Sequence, residues 1–314
     1  MRFNFDRNEA LYNLLTTRFE WFVENSIARP ISCDIPLLGG ADRVFVSNFA
    51  DADGKVVQTV IYVSLKSNNF EKLQTYGLRG HLNNIFKGYV HPKNLKGYAF
   101  TLQIDLTLLP DDYEELAHRI ASIRRELFAP VVGHFFNLQG NFASLPPETP
   151  NFDVIEVMAN EFAMIAAKPS EVNITFALTF DSTAESTIAK MFLEEFSRET
   201  AKNPLFRILA PDAITDKHRL LKSKSNGSNI VYVVVNCRQS RSQNTVRRLA
   251  LDLMASLAAF IDSEIARIKA KLHQAMRELT SKCTKRMSRA QLEVRADQLP
   301  EASFYYEEPK LYNY

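Results

Sequence analysis

Between Asn244 and Ala290 the chain runs 47 residues without a glycine or a proline. Those two residue types are the usual breakers of a helix. An unbroken helix of this length spans about 70 Å at ~1.5 Å per residue, whereas the average globular helix has about 11–12 residues. Val246, Leu249, Leu253, Leu257, Ile261, Ile265, Ile268, Leu272, Met276, Leu279, Cys283 and Met287 recur in steps of three and four, as one face of a helix requires. The steps group into eleven-residue blocks of ~3.67 residues per turn, which makes a nearly straight apolar stripe instead of a left-handed supercoil. Each large apolar side chain contributes roughly 1.5–3 kcal/mol when fully buried. The stripe therefore needs a surface to pack on. A rod longer than one small domain is expected to project in part and pair with another chain. Folding back on its own domains is the alternative.

The second half of the same stretch is basic. Residues 267–290, RIKAKLHQAMRELTSKCTKRMSRA, hold eight Lys or Arg and one Glu, while all 314 residues together carry a net charge of +2. The remainder of the chain is thus acidic. At about 100° per residue, Arg267, Lys271, Lys282, Lys285 and Arg289 share an arc of about 60° on one flank of the stripe. Arg277 sits farther round, and Lys269 lies on the other flank. A solvated face is the common fate of such charge. Here only Glu278 is available to balance the row, so an extended acidic surface is the better match. The row lacks interleaved aromatics and any nucleic-acid signature, which argues against nucleic acid.

The rest of the chain reads as a globular protein, 46% apolar and 24% charged, long enough for sizeable cores without disulfides. Cys33, Cys237 and Cys283 are odd in number and far apart, which predicts neither a disulfide framework nor a zinc site and suggests a reducing compartment. The opening MRFNFDRNEALYNLL has no secretory pattern, and the apolar runs are too short to span a bilayer. The expectation is a cytoplasmic protein without transmembrane contact.

Periodicity places a helix over Asn8–Trp21, then two strands around an Asp53-Gly54 hairpin turn. A helix over Asn69–Phe86 follows, weakened by Gly77 and Gly80, and then a strand over Tyr98–Leu106. The pattern repeats. A helix starts at Pro110-Asp111-Asp112, runs to about Arg125 and resumes after Pro130. Strands over Val154–Ala167 and Glu171–Asp181 flank a turn at Pro169. The capping box Ser182-Thr-Ala-Glu185 opens a helix to Glu199. Strands over Phe206–Ala210 and Asn229–Asn236 complete the second half. The expected fold is α+β, with two similar domains of antiparallel sheets and packed helices, followed by a long C-terminal helix. The expected domains are 1–108, 109–240, the helix at 241–290 and a tail at 291–314. The acidic, aromatic end EASFYYEEPKLYNY reads as a disordered tail, with docking on a neighbour as the alternative.

Local catalytic signatures are missing. The chain has no G-x-x-x-x-G-K-[ST], H-E-x-x-H, C-x-x-C or G-x-S-x-G, and its six histidines are scattered. No catalytic residue, metal ligand or cofactor is expected, and a scaffold or binding protein is favoured over an enzyme.

Several segments resemble the subunit 2 family of the actin-related protein 2/3 complex, the actin-branching assembly. They are Val63-Ser64-Leu65-Lys66 with Lys72-Leu73-Gln74 and Gly77, and Ile188-Ala-Lys-Met-Phe192-Leu-Glu-Glu-Phe196. The third is Leu272-His273 with Met276-Arg277, Thr280-Ser281, Lys285 and Arg289-Ala290. The resemblance covers most of residues 55–290. It implies a non-catalytic scaffold that pairs with subunit 4 through the apolar stripe. The interface would then run through Leu257, Ile261, Ile265, Ile268, Leu272, Met276, Leu279 and Cys283. It also implies the two actin-related subunits as partners, a cortical actin-cytoskeleton location, and contact with the side of an actin filament. By position, Arg277, Lys282, Lys285, Arg286 and Arg289 are the implied filament contacts, Arg286 lying at the edge of the apolar stripe. Residues around RPISCDIPLLGGADR and Pro146–Pro150 have no counterpart in this resemblance. The alternative function is a peripheral module that binds anionic lipid weakly through the basic amphipathic helix. The single Phe260 and absence of Trp along the stripe count against it.

Overall fold

A computed structural model describes residues 7–38, 42–48, 59–146, 148–199, 205–215, 218, 220–221, 229–238 and 243–297. The expected Asp53-Gly54 turn and the tail at 301–314 lie outside these residues. The first half comprises α1 (Glu9–Asn25), β1 (Ser32–Pro36), β2 (Arg43–Ser47), β3 (Val60–Lys66), α2 (Phe70–Gln74), α3 (Leu78–Ile85) and β4 (Phe100–Asp105). The second comprises α4 (Tyr113–Ala121), α5 (Ile123–Gly140), β5 (Phe152–Met158), β6 (Glu161–Ala167), β7 (Glu171–Phe180), α6 (Thr183–Glu199), β8 (Leu205–Ile208) and β9 (Asn229–Arg238). Helix α7 (Gln243–Asp297) follows. Both sheets are antiparallel, with strand orders β1-β2-β3-β4 and β5-β6-β7-β9-β8. The expected α+β class with a long terminal helix is what the chain adopts.

The expected repeat holds with one more strand in each half. Each half has a three-strand meander, then helix, and a later strand that pairs with the meander's last member; in the second half β8 lies between α6 and that strand, β9. In the first half the added strand is β1, from the segment that had no counterpart. In the second, the single strand expected over Val154–Ala167 is β5 and β6, folded at Asn160, whose φ is 62°. Asn tolerates that left-handed conformation better than most residues. Periodicity alone missed this turn because apolar residues continue on both sides of it.

Two helices also differ from expectation. Gly77, at φ 82°, caps the start of α3 and splits the expected Asn69–Phe86 helix in two. Gly80 stays helical. Pro130 lies inside α5 and does not interrupt it; the break comes instead at Ser122, between α4 and α5. Helix α5 buries Ile123, Leu127, Phe128, Val131, Val132, Phe135 and Phe136 on all sides. It touches α2 and α3 of the first half and β6 and β7 of the second. A helix apolar all round is a buried helix, and packing on several sides outweighs the cost of about 3 kcal/mol for an interior proline.

The capping box expected at Ser182 forms. Ser182 Oγ accepts from the Glu185 amide at 3.2 Å, and Glu185 Oε2 accepts from the Asp181 amide at 3.1 Å. That carboxylate reaches one residue farther back than a standard box.

Polar bonds join the two halves. Arg124, on the first turn of α5, is 6% exposed. Its Nη1 pairs with Asp42 Oδ2 at 2.9 Å, its Nε donates to the Ala255 carbonyl at 2.7 Å, and its Nη2 donates to the Val157 carbonyl. One guanidinium therefore ties the approach to β2, strand β5 and helix α7. Burial lowers its pKa, and the Asp42 charge opposes that shift. Next to it, Arg125 pairs with Asp252 of α7 at 2.9 Å.

Strand β5 is an edge, and exposed edges invite unwanted pairing. Here α2 covers it. Asn69 Nδ2 donates to the Glu156 carbonyl at 2.8 Å, and Lys72 Nζ donates to the Val154 carbonyl and pairs with Asp153 at 3.0 Å. Tyr76 donates to Asp153 Oδ2 at 2.7 Å. Burial pushes the Asp153 carboxyl up, but the bonds from Tyr76, Lys72 and the Val154 amide outweigh it and hold the group below its usual value.

Arg124→Met leaves Asp42 buried without its cation, and should lower the unfolding free energy by about 3–5 kcal/mol; a denaturant titration measures it. Gly77 and Gly80 are both exposed, and a methyl group meets nothing within 4 Å at either, so backbone conformation alone should make them respond in opposite directions. Gly77→Ala forces a left-handed backbone on a β-carbon and costs about 1–2 kcal/mol, while Gly80→Ala gains roughly 0.5–1 kcal/mol of helix propensity.

Candidate functional site

Helix α7 carries every site residue expected from the sequence, and it changes character along its length. Residues 1–263 and 264–314 form separate compact units. In the first, Val246, Leu253, Leu257 and Ile261 are 0–7% exposed. The Phe260 ring lies 6.0 Å from Phe192 and 6.5 Å from Phe196, both on α6. Arg247 sits over Gly133 of α5, in space that a β-carbon would fill. Leu257 and Ile261, at 1% and 0% exposure, belong to the chain's own core and leave no surface for a partner. Folding back, the alternative reading, is correct for this part of the stripe.

In the second unit Ile265 is 4% exposed and Ile268 half-buried. From Ala270 to Arg289 every residue is exposed. Leu272, Met276, Leu279 and Met287 are 52%, 55%, 62% and 68% exposed, and Cys283 lies in the same row. Met287 extends the row one turn beyond the expected interface. Four large apolar side chains in line are more than the single scattered exposures that need no explanation.

The cations flank this row. Arg267 pairs with Glu264 one turn earlier, its Nε lying 2.9 Å from Oε2. Arg277, Lys282, Lys285, Arg286 and Arg289 are all exposed. Glu278, placed to pair with Lys282 four residues on, instead accepts from Gln274 Nε2 at 3.3 Å. On the opposite flank, hydroxyls of Thr280, Thr284 and Ser288 each donate to the carbonyl four residues back at 2.9 Å. Their four-residue spacing was a legible signal that attention to charge alone passes over. The result is a three-sided surface: apolar row, basic flank, and a hydroxyl flank that also carries Arg277.

A cavity of about 20 Å³ lies beside Arg7, Ser122, Arg124, Arg125 and Ser256, room for about one water. Among the described residues, no group of three or more His, Cys, Asp or Glu side chains is placed to hold a metal. Burial, and then the Glu171 charge, push the Cys237 thiol up to about 12, which keeps it protonated and inert. No helix among the described residues is long and apolar enough to cross a membrane.

The family model described as the Arp2/3 complex 34 kD subunit, p34-Arc, matches residues 63–294. That span runs from β3 into the exposed part of α7. A relative named actin-related protein 2/3 complex subunit 2, from Schizosaccharomyces pombe, is 26% identical over 314 residues, covering 91% of this chain and 93% of its own length.

An exposed apolar row should make the lone chain self-associate without contributing to its folding. Replacing Leu272, Met276 and Leu279 together by Ser should reduce association in sedimentation velocity. It should shift the unfolding free energy by less than about 0.5 kcal/mol, the usual range for surface changes.

Proposed function

The chain belongs to the p34-Arc family, the 34 kD subunits of the Arp2/3 complex, and on that premise we propose that it is a non-catalytic scaffold component of that complex at the actin cytoskeleton. The observation that carries the reading is the exposed row Leu272, Met276, Leu279, Cys283 and Met287 on a helix whose earlier stripe is already buried. A twenty-residue helical segment with no packed face is marginal by itself. Burying four such side chains, at ~1.5–3 kcal/mol each, is the gain that stabilises it. The partner is the long helix of subunit 4, and the interface runs from Ile268 through Met287. Leu257, Ile261 and Ile265 drop out of it because they are buried within the chain itself.

Arg277, Lys282, Lys285, Arg286 and Arg289 hold the side of an actin filament, an extended acidic surface that matches a row with little internal compensation. The two actin-related subunits of the complex are further partners. Binding of anionic lipid by the same row is the second reading. What favours it is the amphipathic layout itself, apolar row beside cations; against it, the row carries no aromatic side chain beyond residue 260.

Leu272→Asp or Leu279→Asp should abolish stoichiometric co-purification with the other subunits. Lys285→Glu with Arg289→Glu should leave the assembly intact and weaken co-sedimentation with actin filaments, a loss masked as salt shortens the screening length from about 10 Å at 0.1 M. Loss of assembly in the reversal variant would move those cations to the subunit interface. Flotation of the chain with anionic vesicles, without filament binding, would favour the lipid reading.

A further inference from the structure

Two opposing forces act between α6 and α7. The rings of Phe260, Phe192 and Phe196 hold α7 against α6. Four carboxylates from different elements act on one another electrostatically, of which Glu161 is buried, Glu185 half-buried, and Asp181 and Asp262 exposed. Glu161 opens β6, Asp181 follows β7, Glu185 lies on the first turn of α6, and Asp262 lies on α7 two residues past Phe260. Glu161 is 4% exposed. Its Oε1 accepts only a long bond from the Thr179 amide, 3.3 Å, and its Oε2 is closed off from solvent with no hydrogen-bond partner. Among the described side chains no Lys or Arg pairs with Glu161 or Asp262.

A buried, uncompensated carboxylate is among the costliest groups a fold can hold in ionised form. It is tolerable as the neutral acid. We propose that buried Glu161, with Asp262, Glu185 and Asp181 as its charged surroundings, forms a proton-dependent clasp, which holds the Phe260 turn of α7 against the start of β6 and against α6 and loosens when Glu161 ionises.

The electrostatics of the cluster agree. Burial, and then the Asp262 charge, push the Glu161 carboxyl up to about 8, with the Thr179 amide opposing. Partial desolvation of a side chain that is otherwise exposed, and then the charges of Glu185 and Asp181, raise Asp262 to about 6. Near neutral pH, Glu161 therefore keeps its proton while Asp262 is charged. Because the folded value of Glu161 lies above its unfolded value of 4.5, the proton's contribution to stability is complete at low pH. It declines as pH rises toward about 8 and then levels off.

Hydrogen exchange of the full-length chain, followed from about pH 6 to about pH 8.5 and corrected for base-catalysed exchange, tests this. Amides of residues 253–263 and 183–196 should lose protection, by at most about tenfold per pH unit for one proton. Glu161→Gln, which mimics the neutral acid, should hold protection level across that range. Equal loss in both proteins, or no loss in the unaltered chain, overturns the clasp. Should Glu161→Gln not fold, Asp262→Asn supplies the second arm. Removing the neighbouring charge should bring the loss to completion at lower pH, and an unmoved midpoint also overturns the proposal.

Discussion

Arg124 is the interaction on which the arrangement of residues 7–263 depends. A buried guanidinium must have its hydrogens accepted and its charge balanced. Asp42 balances the charge, and the carbonyls of Val157 and Ala255 accept from the other two nitrogens. Each partner comes from a different part of the chain: the approach to β2, the edge strand β5 and the first half of α7. None of the three can shift without stranding a polar group out of water. Helix α5, which carries Arg124 at its start, is apolar on every side and touches both halves. The apolar body and the buried cation therefore place the same elements by different means, one without direction and one with it. The cover that Asn69 and Lys72 provide over β5 follows from that placement, because it brings α2 alongside the edge.

Helix α7 shows how one pattern serves two purposes. Its apolar stripe is continuous in sequence from Val246 to Met287. Up to Ile261 the stripe is mostly buried within the chain, with neighbouring Phe260 against α6 and Arg247 over α5. From Leu272 onward the same kind of residue is more than half exposed. The basic residues gather in the second part, where residues 270–289 are exposed. This division leaves one part of the helix anchored in its own fold and another presenting a surface. The carboxylate cluster at Asp262 lies at the end of the anchored part, which makes the anchoring the step that protonation can reach.

How much of this was legible depended on the range of the forces involved. The long helix was evident from the missing Gly and Pro and from the steps of three and four, since helix formation is a local matter. The capping box at Ser182 was equally local, and it forms. The turn at Asn160 and the strand β1 were not seen. The first has apolar residues on both sides and only one Asn to mark it, and the second is a short segment between prolines. Pro130 pointed to a break that packing overrode. At Gly77 the sequence signalled weakness, and the backbone turned it into a cap.

Composition and periodicity alone determined the class, the antiparallel hairpins, the existence of the stripe and the basic row beside it. All of these follow from preferences that act within a few residues along the chain. Which part of the stripe is core and which is surface was decided only by the tertiary structure. Leu257 and Leu272 are the same residue on the same face of the same helix, and no local property separates them. The difference is that Phe192, Phe196 and the α5 face arrive beside the first part from sequence positions far away, and burial is a property of those neighbours. The same holds for Arg124 and Glu161. Each is one charged residue among many in the sequence, and only the fold made one a satisfied cation and the other a carboxylate with an oxygen that has nowhere to bond.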